Sequence, residues 1–205
     1  MAGIRKARKG RTMELQFLHM LQELHRDWLS AVMIFFTTIG EAGICWIVLS
    51  VILALFKKTR KCGFTMMAAM AVTFLVGNVF LKNLIARPRP CAVDTSVSLL
   101  IPFPSEYSFP SGHTSNGFTA AATVFLYYRK PGIAALIVAA VIAFSRMYLF
   151  VHYPTDILGG ILLGVLDAIL AVFLVRKWER YHKKESEKAV LRYGSVAEER
   201  KNELV

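Results

Sequence analysis

The chain has 205 residues, of which 55% are apolar and only 19% charged, and it carries a formal net charge of +11 with a mean hydropathy of +0.46. Soluble domains carry about 25% charged residues, whereas here the stretches 28–56, 64–81, 112–126, 133–144 and 157–175 hold only Glu41 and Asp167 as charged groups, which leaves too little amphipathic surface for a soluble helical protein. The basic residues sit at the ends of these stretches, without zinc spacing, aromatic-basic interleaving or a recognition-helix pattern, which argues against a nucleic-acid partner.

Residues 1–11 read as a basic tail. In residues 12–26, Leu15, Leu18, Leu21 and Leu24 recur every three positions with Phe17 beside them. That pattern predicts an amphipathic helix, either lying at a membrane surface or packed on the rest of the protein. Apolar sequence begins only near Trp28, with no small-residue cleavage site following promptly, so no removable signal peptide is expected. Residues 1–27 therefore form a unit ahead of the membrane domain. The stretch 28–56 would run roughly 43 Å as one helix, against a hydrocarbon core of about 30 Å. Gly40 and Gly43 flank Glu41 in its middle, so a bend near Gly40 is expected, followed by a crossing to Phe56. Residues 64–82 predict a second crossing. Residues 83–110 contain five prolines and predict a loop. Further crossings are expected at 111–128, 132–149 and 155–176, and residues 177–205 form a charged tail. Cys45, Cys62 and Cys91 lie far apart, which is no disulfide framework.

The expected fold is thus all-α and integral to a membrane: a bundle of about five transmembrane helices, with a membrane domain over 28–176. A sixth crossing through 12–40 would move the N-terminus to the other side, but its first half is polar. With five crossings, the side receiving 57–62, 129–131 and the C-terminal tail holds 15 Lys and Arg, and the other holds only Lys82, Arg87, Arg89 and Arg146. The positive-inside rule then makes the first side, with the tail 177–205, cytoplasmic. The basic N-terminal tail resists this assignment, since five crossings place it outside.

Three polar clusters fall on the outward face: Lys82 to Pro90 with Arg87 and Arg89, Pro110-Ser111-Gly112-His113, and Ser145-Arg146 followed by His152 and Asp156. A phosphate monoester carries nearly two negative charges, and phosphoryl transfer is catalysed mainly by positioning and by stabilising that charge. Asp94, Glu106 and Asp156 are scattered, so no carboxylate cluster for a metal is expected. Lys82, Arg89 and Arg146 can supply the positive charge instead, the arginines as bidentate donors. Ser111 and Gly112 open a helix after Pro110, whose free N–H groups and dipole favour an anion. His152 and His113 supply a nucleophile and a proton donor. Residue chemistry leaves open which is which, although Asp156, four residues after His152, can fix the tautomer of that ring and favours it as nucleophile.

Lys82-x6-Arg89-Pro90, Pro110-Ser111-Gly112-His113 and Ser145-Arg146-x5-His152-x3-Asp156 together resemble the three-part signature of the type 2 phosphatidic acid phosphatase (PAP2) superfamily. The resemblance spans residues 28–176 and implies hydrolysis of a membrane lipid phosphate through a phosphohistidine, with no metal or other cofactor. It implies His152 as nucleophile, Asp156 as its partner and His113 as the acid. Lys82, Arg89, Arg146, Ser111 and Gly112 would bind phosphate. Larger bacterial members carry an extra crossing, and this chain looks more like the compact undecaprenyl diphosphate phosphatases of bacterial cell membranes. Phosphatidylglycerophosphate, phosphatidate and lipid A phosphates are the alternative substrates, and transfer of phosphate to another acceptor would use the same residues. A membrane anion-binding or transport protein is the alternative of another class, but it would need internal symmetry and a midplane site. Arg87 reads as a headgroup contact, Asp167 as a bond to a neighbouring helix, and Glu41 as open. Oligomeric state is not readable.

Overall fold

A computed structural model describes the backbone of residues 2–203 and the side chains of residues 12–187. Among the described residues all regular structure is helical. The first helix, α1 (Ala2–Gln22), extends through the segment expected as a basic tail. Leu18 and Leu21 are buried in a cluster with Tyr148, Leu149 and Phe150, while Met13, Phe17, Met20 and Leu24 are exposed. A three-residue repeat drifts about 60° per step round a helix of 3.6 residues per turn. The leucine stripe therefore leaves the packed face, and Leu24 lies beyond the helix end.

Helix α2 (Asp27–Ile39) starts with an acid in its first turn, where the helix dipole favours one. It is followed by a tight turn at Glu41–Gly43 and by α3 (Ile44–Leu55), bent 44° from α2. Ala42 and Gly43 both have positive φ, 49° and 71°. Gly43 reaches this region at no steric cost, and Ala42 does so at some cost. Helix α4 (Arg60–Thr73) runs on through wider, π-helical turns at Phe74–Leu81 into α5 (Lys82–Ile85). The proline-rich loop contains one further turn of helix, α6 (Pro90–Val93). Helices α7 (Gly112–Tyr127), α8 (Arg129–Tyr148) and α9 (Pro154–Glu203) complete the chain. The charged tail continues α9.

Among the described residues three helical stretches are long and apolar enough to cross a membrane, and four if the bent α2–α3 pair is one span. Helix α7 has 16 residues, about 24 Å. It is sheathed by α4, α8 and α9, and nearly all of its surface from Thr114 to Val124 is buried. Close approach of α9 depends on Gly164, where a Cβ would stand 2.5 Å from the Ser115 carbonyl oxygen. Hydrogen bonds reinforce the same junction. Thr73 Oγ1 donates to Asp167 Oδ2 at 2.7 Å and pairs with Thr119 at 2.7 Å, tying α4, α7 and α9 together. Asp167 thus bonds a neighbouring helix. The packing brings three points of the backbone to one end of the bundle: the start of α7, the end of α8 and the start of α9.

Candidate active site

A cavity of about 550 Å³ opens at that end, lined by Lys82, Arg89, Gly112, His113, Arg146 and His152 from the three sequence clusters. Thr37, Glu41, Asn78, Glu106 and Asn116 line it as well. Lys82 lines it from the first turn after the widened turns of Phe74–Leu81. Its ammonium group is buried and forms a close ion pair with Glu106. That hydrogen bond from Lys82 holds the Glu106 carboxyl below the ordinary carboxylate range.

Arg89 is buried, and two of its three guanidinium nitrogens bond neighbours. Its Nε donates to the Glu106 carbonyl at 2.6 Å, and Nη1 donates to the Val151 carbonyl at 3.0 Å and lies 2.9 Å from His152 Nε2. A guanidinium has no acceptor. The last contact therefore requires the lone pair of His152 on Nε2 and its proton on Nδ1. Nδ1 faces Asp156 Oδ2 at 3.5 Å and Ser108 Oγ at 3.5 Å. Asp156 is fully buried, and Oδ2 also accepts from Ser108 Oγ at 2.5 Å and from the Tyr153 N–H at 2.9 Å. Pro154 starts α9, which sets Asp156 in the first turn and His152 just ahead of it. A neutral imidazole is thus oriented on one side and presents its lone pair on the other.

Arg146, in the last turn of α8, bonds Thr37 through Nη1, while its buried Nε has no partner among the described residues. The Asn116 Oδ1 atom is likewise buried and unpartnered. Such groups are costly unless something occupies the space they face. His113 follows Gly112 in the first turn of α7, whose N-terminus has no side-chain cap. The Gly112 backbone approaches Asn78 so closely that a Cβ would stand 2.9 Å from its Oδ1. Ser111 is fully buried behind the cavity, and its Oγ accepts from Thr114 at 3.0 Å. Its backbone N–H bonds the Asp156 carbonyl at 3.2 Å, which joins the starts of α7 and α9.

Among the described residues no group of three His, Cys, Asp or Glu side chains could hold a metal ion. What the arrangement can do is bind a multiply charged anion among three cations, beside an unprotonated imidazole and a second histidine. Burial first, and the charges of Arg89, Arg146 and Lys82 next, hold His152 well below the ordinary histidine range. The folded protein then binds fewer protons at this group than the unfolded chain does. Its contribution to stability is complete above about pH 6.5 and is lost as the pH falls below that value. Melting in detergent from pH 7.5 down to pH 5 is expected to lose less stability in His152→Asn than in wild type. Equal slopes would contradict a buried neutral imidazole.

Two contacts had no signal in the sequence: Glu106 on Lys82, and Ser108 between Asp156 and His152. Arg87, read as a headgroup contact, instead points inward to Asp156. Glu41, left open by the sequence, lines the cavity.

Residues 59–180 match the PAP2 superfamily. The chain is 35% identical over 145 residues to an undecaprenyl-diphosphatase of Sulfolobus acidocaldarius, covering 70% of this chain and 69% of that protein. It is 29% identical over 150 residues to the undecaprenyl-diphosphatase BcrC of Bacillus subtilis, covering 71% and 75%. Its fold matches the crystal structure of a transmembrane PAP2-type phosphatidylglycerolphosphate phosphatase from Bacillus subtilis with a TM-score of 0.68 at 26% identity, over 82% of this chain and 87% of that one.

Proposed function

The chain belongs to the PAP2 superfamily and is a membrane lipid phosphatase, and from that premise we propose that it hydrolyses a polyprenyl diphosphate, undecaprenyl diphosphate first, through a phosphohistidine and without a metal. The observation that carries this reading is the donor-only contact of Arg89 with His152 Nε2 at 2.9 Å. It supports a lone pair on the cavity side of the His152 ring and a proton on the side of Asp156.

In the proposed reaction the terminal phosphate displaces the Glu106 carboxylate from Lys82 and takes bonds from Arg89, Arg146 and the N–H groups opening α7. Arg89 Nη1 passes its hydrogen bond from His152 Nε2 to the phosphate, the freed Nε2 lone pair attacks phosphorus, and the bond from phosphorus to the bridging oxygen breaks. His113 delivers a proton to that oxygen, so the lipid leaves as a monophosphate. Asp156 stabilises the positive charge that forms on the ring. Water then attacks the phosphohistidine and gives a proton to His113. The phosphorus–nitrogen bond breaks, and free phosphate and neutral His152 are restored. The three cations serve throughout as the charge clamp that a metal would otherwise provide.

The polyprenyl choice is supported by the two undecaprenyl-diphosphatase relatives and by the cavity's apolar flank, where Phe74 and Phe103 are exposed. A lipid tail can lie there while its headgroup reaches the cations. The charge distribution between the two faces supports a cavity on the extracytoplasmic side of the membrane. The test is phosphate release in detergent with EDTA present, from undecaprenyl diphosphate, phosphatidylglycerophosphate, phosphatidate and lipid A in parallel. The highest kcat/KM is expected for undecaprenyl diphosphate, unaltered by the chelator. Equal rates on all four would remove the polyprenyl assignment, and loss of release in EDTA would remove the metal-free mechanism.

A further inference from the structure

Asp156 has two oxygens, and the reaction above uses only one of them. Oδ2 faces His152 and Ser108, whereas Oδ1 accepts from Arg87 Nη1 at 2.7 Å. Arg87 does not line the cavity. Nη1 also donates to Thr155 Oγ1 at 2.6 Å, Nη2 donates to Glu14 Oε2 at 2.6 Å, and the guanidinium lies over the Tyr153 ring at 4.0 Å. Glu14 closes the ring. Its Oε1 accepts from the Thr155 N–H at 3.1 Å and from Thr155 Oγ1 at 2.5 Å, so helix α1 caps the first turn of α9. The side chains of Arg87 and Glu14 are 17% and 16% exposed, and that of Asp156 is 0% exposed.

We propose that Arg87 and Glu14 are positioning residues for the hydrolysis: they form a clamp that holds the Asp156 carboxylate, and through it the ring of His152, and so make α1 a working part of the active site. A carboxylate without solvent needs a paired cation, and Arg87 is the cation within reach. One carboxylate alone would leave a guanidinium free to turn. The second, on the adjacent nitrogen, fixes the fork so that Nη1 points at Asp156. Stacking on Tyr153 fixes the plane of the fork and the backbone turn that follows His152. Glu14 lies 73 residues before Arg87 and 141 before Thr155, so the clamp exists only when α1 is seated. This inference rests on the phosphohistidine reading, in which the orientation of His152 limits the rate.

The experiment measures phosphate release and melting for wild type, Glu14→Gln, Arg87→Lys, Arg87→Ala and the double variant Glu14→Gln/Arg87→Ala, all as full chains in detergent. Glu14→Gln is expected to lower kcat about tenfold with KM changed less than about twofold, well short of the roughly 10⁴-fold loss that follows damage to an orienting carboxylate itself. Arg87→Ala loses more, and Arg87→Lys recovers part of that loss. The double variant is no slower than Arg87→Ala, because the two residues act through one path. Wild-type kinetics in Glu14→Gln, multiplying losses in the double variant, or a raised KM with unchanged kcat would each overturn the clamp. If Arg87→Ala does not fold, the split between kcat and KM in Glu14→Gln and Arg87→Lys decides. Release by wild type and an unaffected Glu14→Gln would sink the clamp alone; no release by wild type from any lipid would sink the phosphatase reading with it.

Discussion

His152→Ala is expected to lower phosphate release by at least about 10⁴-fold, since a covalent nucleophile has no substitute among the cavity residues. His113 cannot take over. It opens α7 and has no carboxylate partner among the described residues, whereas the Nδ1 atom of His152 faces Asp156 at 3.5 Å. The remaining cations still bind the anion, so the variant should retain lipid affinity while losing turnover. Two measurements separate this from a folding defect. Phosphate should still raise the melting temperature of the variant, because a ligand that binds only the folded state stabilises it. Brief exposure to lipid diphosphate labelled in its terminal phosphate should leave a base-stable, acid-labile label on wild type and none on the variant. Retained turnover in His152→Ala, or a label that survives the substitution, would refute the nucleophile assignment.

The parts of the molecule legible from sequence were those fixed by a local period or by residue types at short spacing. Apolar runs placed α4, α8 and the first half of α9, and the pair Gly40 and Gly43 placed the bend, which the structure records as 44°. The three polar clusters were legible as residue types at short spacing, and the structure brings Lys82, Arg89, His113, Arg146 and His152 to one cavity. What was not legible depends on contacts between distant segments. Glu106 sits in a proline-rich loop with no period, and nothing in its neighbours signals that it will neutralise Lys82, 24 residues earlier. Ser108 is one hydroxyl among several in that loop, yet it donates to Asp156 across 48 residues. Arg87 looked like a surface cation because it lies outside the signature spacing. Its bonds to Asp156 and Thr155, distant in sequence, and to Glu14 on α1 turn it inward. The widened turns at Phe74–Leu81 left no mark either, since Phe-Leu-Val-Gly-Asn-Val-Phe-Leu is as good an ordinary helix as a widened one. Such turns recur at functional sites, and here Asn78 within them and Lys82 just after them line the cavity.

Arg146→Met is expected to separate activity from stability more sharply than any other change in the cavity. Removing one preorganised donor from a phosphoryl-transfer site costs on the order of 10³-fold in kcat. Arg146→Lys should recover little of it, because an ammonium group is a point charge and cannot offer the two parallel bonds of a guanidinium. Stability should move the other way or not at all. Arg146 is only 5% exposed, its Nε has no partner, and it shares the cavity with Lys82 and Arg89. Opposing this are one bond to Thr37 and the attraction of Glu41. Replacing a poorly paired buried charge with an apolar side chain of similar length is often neutral or stabilising. The melting temperature of Arg146→Met should therefore stay within about 3 °C of wild type or rise. Added inorganic phosphate should raise it less than it raises that of wild type, because one side of the anion site is gone. Activity within tenfold of wild type would remove Arg146 from the phosphate clamp. A large fall in melting temperature would mean that its bond to Thr37 outweighs the repulsion, and that the guanidinium holds the fold rather than standing ready for an anion.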